Sequence, residues 1–141
     1  NNARLGKLLG LAEQGRFGEQ GIACIGELVT PQTLAQFAAQ VGQGLRRAPQ
    51  VIGNGAKNIR KVAWCSGGAQ GYFDAAIAQG VDAYISGEIS EQSFHLAQES
   101  GVAFIAAGHH ATERLGIQAL GEHLSAHFGL EHCFFDQDNP V

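Results

Sequence analysis

Between residues 59 and 135 the hydrophobic pattern repeats one unit: a short apolar run, a glycine-bearing turn, then apolar positions at helical spacing. Val62-Ala63-Trp64-Cys65 reads as a strand, Ser66-Gly67-Gly68 as a turn, and residues 70–79 as a helix stopped by Gly80. Ala83-Tyr84-Ile85-Ser86 repeats the strand and Gly87-Glu88 the turn. The next helix begins at Ser90, flanked by Ile89 and Phe94 at the spacing of a hydrophobic staple, and closes at Gly101. The third unit is the apolar run 102–107, the turn Gly108-His109-His110, and a helix from about Ala111 to Gly129 with Ile117, Leu120, Leu124 and Phe128 on one face. His132-Cys133-Phe134-Phe135 is expected to add a final strand. Three strand–loop–helix units in succession predict a parallel sheet with right-handed crossovers.

The first 58 residues lack this rhythm. Leu5, Leu8 and Leu9 suggest a short helix, followed by a Gly- and Gln-containing connection over Gln14–Gly18. Ile22 to Val29 should be a strand, and Thr30-Pro31 the cap and first turn of a helix carrying Leu34, Phe37, Ala38, Val41 and Leu45 inward. Pro49 to Ile52 reads as a short edge strand before an Asn54-Gly55 turn. The predicted fold class is therefore α/β: a largely parallel sheet with helices on both faces. Residues 59–141 carry the three units and 1–58 a smaller strand/helix lobe.

Composition narrows the class. The 141 residues are 45% apolar and 16% charged, which suits one globular domain. A net charge of −4, with only Arg46-Arg47 and Arg60-Lys61 as basic pairs, leaves no nucleic-acid footprint. No apolar run nears the ~20 residues of a membrane span and nothing resembles a signal peptide. Cys24, Cys65 and Cys133 are too few and too far apart for a disulfide framework or a thiolate zinc site, which predicts a reducing cytoplasm. The chain has no Met and opens Asn1-Asn2-Ala3, so we expect either a trimmed start or a piece of a longer protein.

The candidate chemistry lies in the three turns, which leave parallel strands at their carboxyl ends, where open sheets bind ligands. His109 and Glu113, four residues apart, can point into one crevice, and Glu88 is placed to join them. An alternative for the same residues is a strand-ending turn, with Glu113 merely complementing the helix N-terminus. Ser66-Gly67-Gly68 opens a helix and could cradle phosphate on free N–H groups, but it lacks the lysine of a P-loop, so a plain tight turn competes. Cys65 reads as a buried thiol rather than a nucleophile. His123 and His127 fall on a solvated helix face, His95 and His132 are isolated, and Asp136 and Asp138 lie in a polar tail.

Taken together, Val62-Ala63-Trp64-Cys65-Ser66-Gly67-Gly68, Asp82-Ala83-Tyr84-Ile85-Ser86-Gly87-Glu88 and Ala107-Gly108-His109-His110-Ala111-Thr112-Glu113 resemble one family in order and spacing. They are similar to the C-terminal part of the dinuclear-metal proteins called GTP cyclohydrolase 1 type 2 homologues, relatives of the NGG-one-interacting factor, and nearest to its bacterial branch. Gly-His-x-x-Thr-Glu is the most specific motif. The resemblance covers residues 59–138, and 1–58 resembles the family's mid-chain region. It implies two divalent metal ions per full-length protomer (Zn, Fe, Mn or Mg), with His109 and Glu113 as this half's ligands. His110 stands where the family often has an aromatic residue and is not carried over. A histidine pair and an aspartate would come from an N-terminal half with no counterpart in this sequence. Two ligands do not hold a dinuclear centre by themselves. The resemblance further implies ring-shaped homo-oligomers, commonly hexamers, and a small nucleotide-like substrate. The expected function is a metal-dependent hydrolase of GTP cyclohydrolase-like type; the alternative is a metal-containing oligomeric regulatory or interaction scaffold without turnover.

Overall fold

The structure, a computed structural model, describes residues 1–141. In chain order its elements are α1 (Asn2–Leu8), β1 (Leu11–Phe17), β2 (Ala23–Thr33), α2 (Leu34–Leu45), β3 (Gln50–Ile52), β4 (Asn58–Cys65), α3 (Phe73–Ala78), β5 (Ala83–Ser86), α4 (Glu91–Ser100), β6 (Ala103–Ala106) and α5 (His109–Phe128). All six strands join one sheet in the order β1-β2-β4-β5-β6-β3. The predicted α/β class holds, with helices on both faces, but the sheet is not largely parallel. Only β4–β5 and β5–β6 run parallel, whereas β1–β2, β2–β4 and β3–β6 are antiparallel. The strand–loop–helix rhythm read correctly the three strands joined by crossovers. The strands added from residues 1–58 follow no crossover rule and pair antiparallel on either flank.

Alternation along the central strands splits the interior into two cores. On one face Val62, Trp64, Ala83, Ile85, Ala103 and Ile105 meet α1, α2 and the start of α5 through Leu5, Leu9, Phe37, Val41 and Ala111. On the other, Ala63, Cys65, Tyr84, Phe104 and Ala106 meet α3 and α4 through Phe73, Ala76 and Ala97. Gly6 lets α1 lie directly on the indole, since a Cβ there would stand 2.7 Å from Trp64 Cζ2. The indole N–H is satisfied by the Asn2 carbonyl at 2.9 Å.

Four local expectations need correction. Residues 11–17 form the edge strand β1 rather than a connection; its exposed polar residues and a register shift between Glu13 and Gly15 hid the alternation. Thr30-Pro31 does not start α2. It sits in β2 where the register slips between Glu27 and Gln32, a tolerated site for a proline. Thr33 is the cap instead, in a reciprocal capping box with Gln36. The final strand at 132–135 does not form: these residues have no regular structure, and the edge of β6 is taken by β3. The last helix starts two residues earlier than expected, at His109. The Asn54 turn, the short β3 edge, the Ser90 start and the left-handed Gly101 end of α4 are as the sequence predicted.

Candidate functional site

The sheet's hydrogen bonding continues beyond the strand ends and sews the three predicted turns into a row. Gly87 N–H donates to the Gly67 carbonyl and Gly108 N–H to the Gly87 carbonyl, both at 2.9 Å. The row admits no side chains: a Cβ on Gly87 would lie 2.7 Å from Gly67 O and 2.8 Å from His109 Cα. Gly67 and Gly108 adopt φ of +71° and +96°, which favour glycine. From below, Tyr84 donates its hydroxyl to the Ala69 carbonyl at 2.7 Å, and its ring packs with Phe73 and Phe104. From the side, Thr112 Oγ1 accepts the Gly67 N–H at 3.0 Å and donates to the Gly108 carbonyl at 2.9 Å.

This frame brings Glu88, His109 and Glu113 together. His109 Nδ1 lies 2.6 Å from Glu88 Oε1, and Nε2 lies 3.2 Å from Glu113 Oε2. The imidazole is therefore held between two carboxylates, each one helical turn or one loop away. Glu88's hydrogen bond, followed by the Glu113 charge, raises the His109 pKa above the ordinary imidazole value against some desolvation. The same hydrogen bond, with a second from Gln70, holds the Glu88 carboxyl below its usual range. A neutral ring donates its one N–H along the shorter contact to Glu88, which leaves the Nε2 lone pair facing a Glu113 oxygen. That pairing of lone pair and carboxylate is repulsive unless the ring takes up a second proton or a cation lies between them. The donor set suits a divalent ion: an imidazole nitrogen, a carboxylate oxygen, and a carboxylate behind the ring fixing its tautomer. It is also incomplete, for no group of three or more His, Cys, Asp or Glu side chains here is arranged to hold a metal ion.

The other candidates fall as follows. Ser66-Gly67-Gly68 lies against the cluster, where a Cβ on Gly67 would come within 2.5 Å of Glu113 Oε1. Most of its N–H groups are engaged: Ser66 with Asn2 Oδ1 at 2.7 Å, Gly67 with Thr112, and Ala69 with the Gly67 carbonyl and Ser86 Oγ. Little remains to cradle a phosphate beyond the Gly68 N–H. Cys65 is buried, which pushes its thiol pKa up. His110 turns away from His109 to Asp136 Oδ1, at 3.1 Å. His123 and His127 stack on each other far along α5 with no carboxylate within ion-pair distance.

Three residues of this neighbourhood were not singled out by sequence reasoning. Thr112 lay inside the Gly-His-x-x-Thr-Glu motif, and its spacing of four from Gly108 was the available signal. Gln70, whose amide donates to Glu88 Oε2 at 3.2 Å, gave none. Asp136, read as a solubilising tail residue, anchors the tail by pairing with His110, Arg114 and Arg46. That tail and the start of α5 border an open cleft of about 500 Å³ lined by His109, Glu113, Arg114, Phe134 and Phe135.

Comparison with known proteins places the chain in a family and matches its fold. The family model described as Duf34/NIF3 (NGG1p interacting factor 3) matches residues 1–140. The chain is 56% identical over 141 residues to a protein of Neisseria meningitidis serogroup B named GTP cyclohydrolase 1 type 2 homolog, and 50% identical to one of the same name from Pseudomonas aeruginosa. Each match takes in 100% of this chain and 57% of the relative, so the chain spans little more than half their length. Among solved structures, a protein called ybgI, of unknown function, superposes with a TM-score of 0.94 at 43% identity over 99% of this chain and 56% of its own. TTHA1606 from Thermus thermophilus gives 0.83 at 30% identity over 97% of this chain and 54% of its own.

Proposed function

The chain belongs to the Duf34/NIF3 family, and on that premise we propose that it is part of a dinuclear-metal-binding protein, a hydrolase of the GTP cyclohydrolase-like type. The observation that carries this reading is the His109 ring, set between Glu88 and Glu113 so that one nitrogen is fixed and the other faces a carboxylate. His109 Nε2 and a Glu113 oxygen would be ligands, and Glu88 would hold the Nδ1–H. Their metal partners would come from the part of the relatives' length that this chain does not span. When bound, a metal pair would supply Lewis-acid polarisation and an activated water. The chain's own share is to orient the imidazole, keep its proton off Nε2 and line the cleft. A small nucleotide-like substrate, a homohexameric ring and a cytoplasmic setting belong to the same proposal. Three unpaired thiols suit that compartment, and no helix is long and apolar enough to cross a membrane.

The second reading, an oligomeric scaffold without turnover, draws on the apolar residues that α5 leaves exposed, Ile117, Leu120, Leu124 and Phe128. Metal content tests the first. In a full-length protein carrying these residues, His109→Ala and Glu113→Gln should each cut metal affinity by more than the roughly 10–100-fold typical of an outer partner. His123→Ala and His127→Ala should leave it unchanged. Full metal in both site variants, with a normal melt, would reduce His109 and Glu113 to turn and capping residues.

A further inference from the structure

One side-chain atom in the molecule is buried without any hydrogen-bond partner: Gln70 Oε1. Its amide is not free to turn over. Nε2 donates to Glu88 Oε2 at 3.2 Å, and a flip would set an amide oxygen against a carboxylate oxygen. The fold thus accepts an unpaired buried acceptor in order to aim one N–H at Glu88. By ordinary reckoning the exchange gains little stability, because leaving a buried acceptor unmet costs about what one hydrogen bond to a carboxylate returns.

The gain is found one residue further on. Glu88 reaches the Gln70 amide with Oε2 and the His109 ring with Oε1, so its carboxylate is held at both oxygens. Without Gln70 the carboxylate is tied at one corner and free to rotate about it, since Glu88 is over a third exposed on its other side. Gln70 itself is fixed by its backbone, in the single helical turn Gln70–Tyr72 that follows the Ala69 carbonyl clamped by Tyr84. The result is a chain of three groups, amide to carboxylate to imidazole, running from the aromatic core to the cluster.

We propose that Gln70 is a positioning residue: its amide locks the Glu88 carboxylate, which keeps the His109 proton on Nδ1 and leaves Nε2 open towards Glu113. The inference rests on the metal-site reading for its purpose, but its geometry is testable in a full-length protein carrying these residues once its metal has been stripped. Gln70→Leu removes the orphaned oxygen and the aimed N–H together. Glu88→Gln removes the carboxylate they serve.

The experiment is nitrogen-15 NMR of the His109 ring in that metal-stripped full-length protein, at a pH that leaves the ring neutral, beside a thermal melt. In the parent chain His109 should be mainly the Nδ1–H tautomer. Gln70→Leu should shift the ratio towards Nε2–H by about fivefold, the factor one ordinary hydrogen bond implies, while the melting temperature stays level or rises. A merely structural glutamine would do the reverse: the melt would fall and the tautomer would stay. That outcome overturns the proposal, as does an unchanged tautomer with an unchanged melt. Glu88→Gln separates the two ideas. If it shifts the tautomer and Gln70→Leu does not, Gln70 is a bystander and Glu88 still orients the ring. If neither shifts it, the account of Glu88 in the proposed function fails as well.

Discussion

Helix α5 begins with Ala111 and Thr112 buried and ends with an apolar face in the open. Ile117, Leu120, Leu124 and Phe128 are 57%, 51%, 39% and 63% exposed. The helix is continuous over its 20 residues, so the contrast is not one of secondary structure. Its first turn is tied to the sheet by side chain and backbone: Thr112 to Gly67 and Gly108, His109 to Glu88, Ala111 to the core. Further on, the ties are sparse and polar, as with Gly116 N–H on Asn1 Oδ1 and Arg4 on Glu122. An amphipathic pattern certifies a helix; it does not say what its apolar face rests on. In this chain the end with the weaker hydrophobic pattern is the one the fold holds in place.

The sharpest way to break that contrast is at Gly87, where the first turn of α5 meets the loops. Gly87→Ala pushes a methyl against two backbone atoms, Gly67 O and His109 Cα, neither of which yields as a flexible side chain would. We expect a loss of about 1–3 kcal/mol or more in urea unfolding; a loss below about 0.5 would mean that the row of loops is looser than its hydrogen bonds suggest. Thr112→Val keeps the shape of the side chain but strands the buried Gly67 N–H. It should cost about 1–3 kcal/mol, together with faster amide exchange at Gly67.

A smaller effect lies just outside the first turn. The Asp136 pKa is lowered by its hydrogen bond to His110, helped by the Arg114 charge. A lowered folded pKa contributes stability that is fully present above the ordinary aspartate value and lost as the pH falls through the folded one. The tail should therefore stay on α5 through neutral pH and release only in acid, below the usual carboxylate range. Asp136→Asn should release it at neutral pH, seen as faster chymotryptic cleavage beside Phe134 and Phe135 with the global melt barely altered. Equal cleavage in variant and parent would show that the tail is held by other contacts. The smallest change is expected at the far end. Ile117→Gln and Phe128→Gln should each alter stability by within about 0.5 kcal/mol. A loss above about 2 kcal/mol would mean that this face is packed rather than open.

Much of the architecture was legible because the three crossover units carry their own punctuation. Glycines close the strands, Ser90 caps a helix, and the runs at 62–65, 83–86 and 103–106 are apolar but for the buried Ser86, as suits strands covered on both faces. The flanking strands were harder. β1 exposes polar side chains, and β2 crosses a slip in register that carries a proline, so neither shows a clean period of two. Their direction is set by pairing partners distant in sequence, which no local pattern records. For the site, His109, Glu113 and Glu88 were legible because turns at the ends of parallel strands must gather on one edge. Gln70 was not, since its role depends on how the turn after Ala69 rolls one amide towards Glu88. Asp136 was missed for a related reason: its partners, Arg46 and Arg114, lie 90 and 22 residues away.

Strand β3 has a consequence for how the molecule assembles. Chain order would place it before β4, yet it closes on β6, beyond all three strands that follow it. Residues 50–52 must therefore wait, unpaired on that side, until some fifty later residues have laid down β4, β5 and β6. Such distant closure demands chain entropy before any contact returns it, which places the domain among the slower mixed α/β folders rather than with helical bundles. The row of loops at the strand ends is complete only once β6 is seated. A ribosome-bound chain that has emerged only through the Glu88 turn can pair four of the six strands, β1, β2, β4 and β5, but cannot yet present the imidazole to that turn.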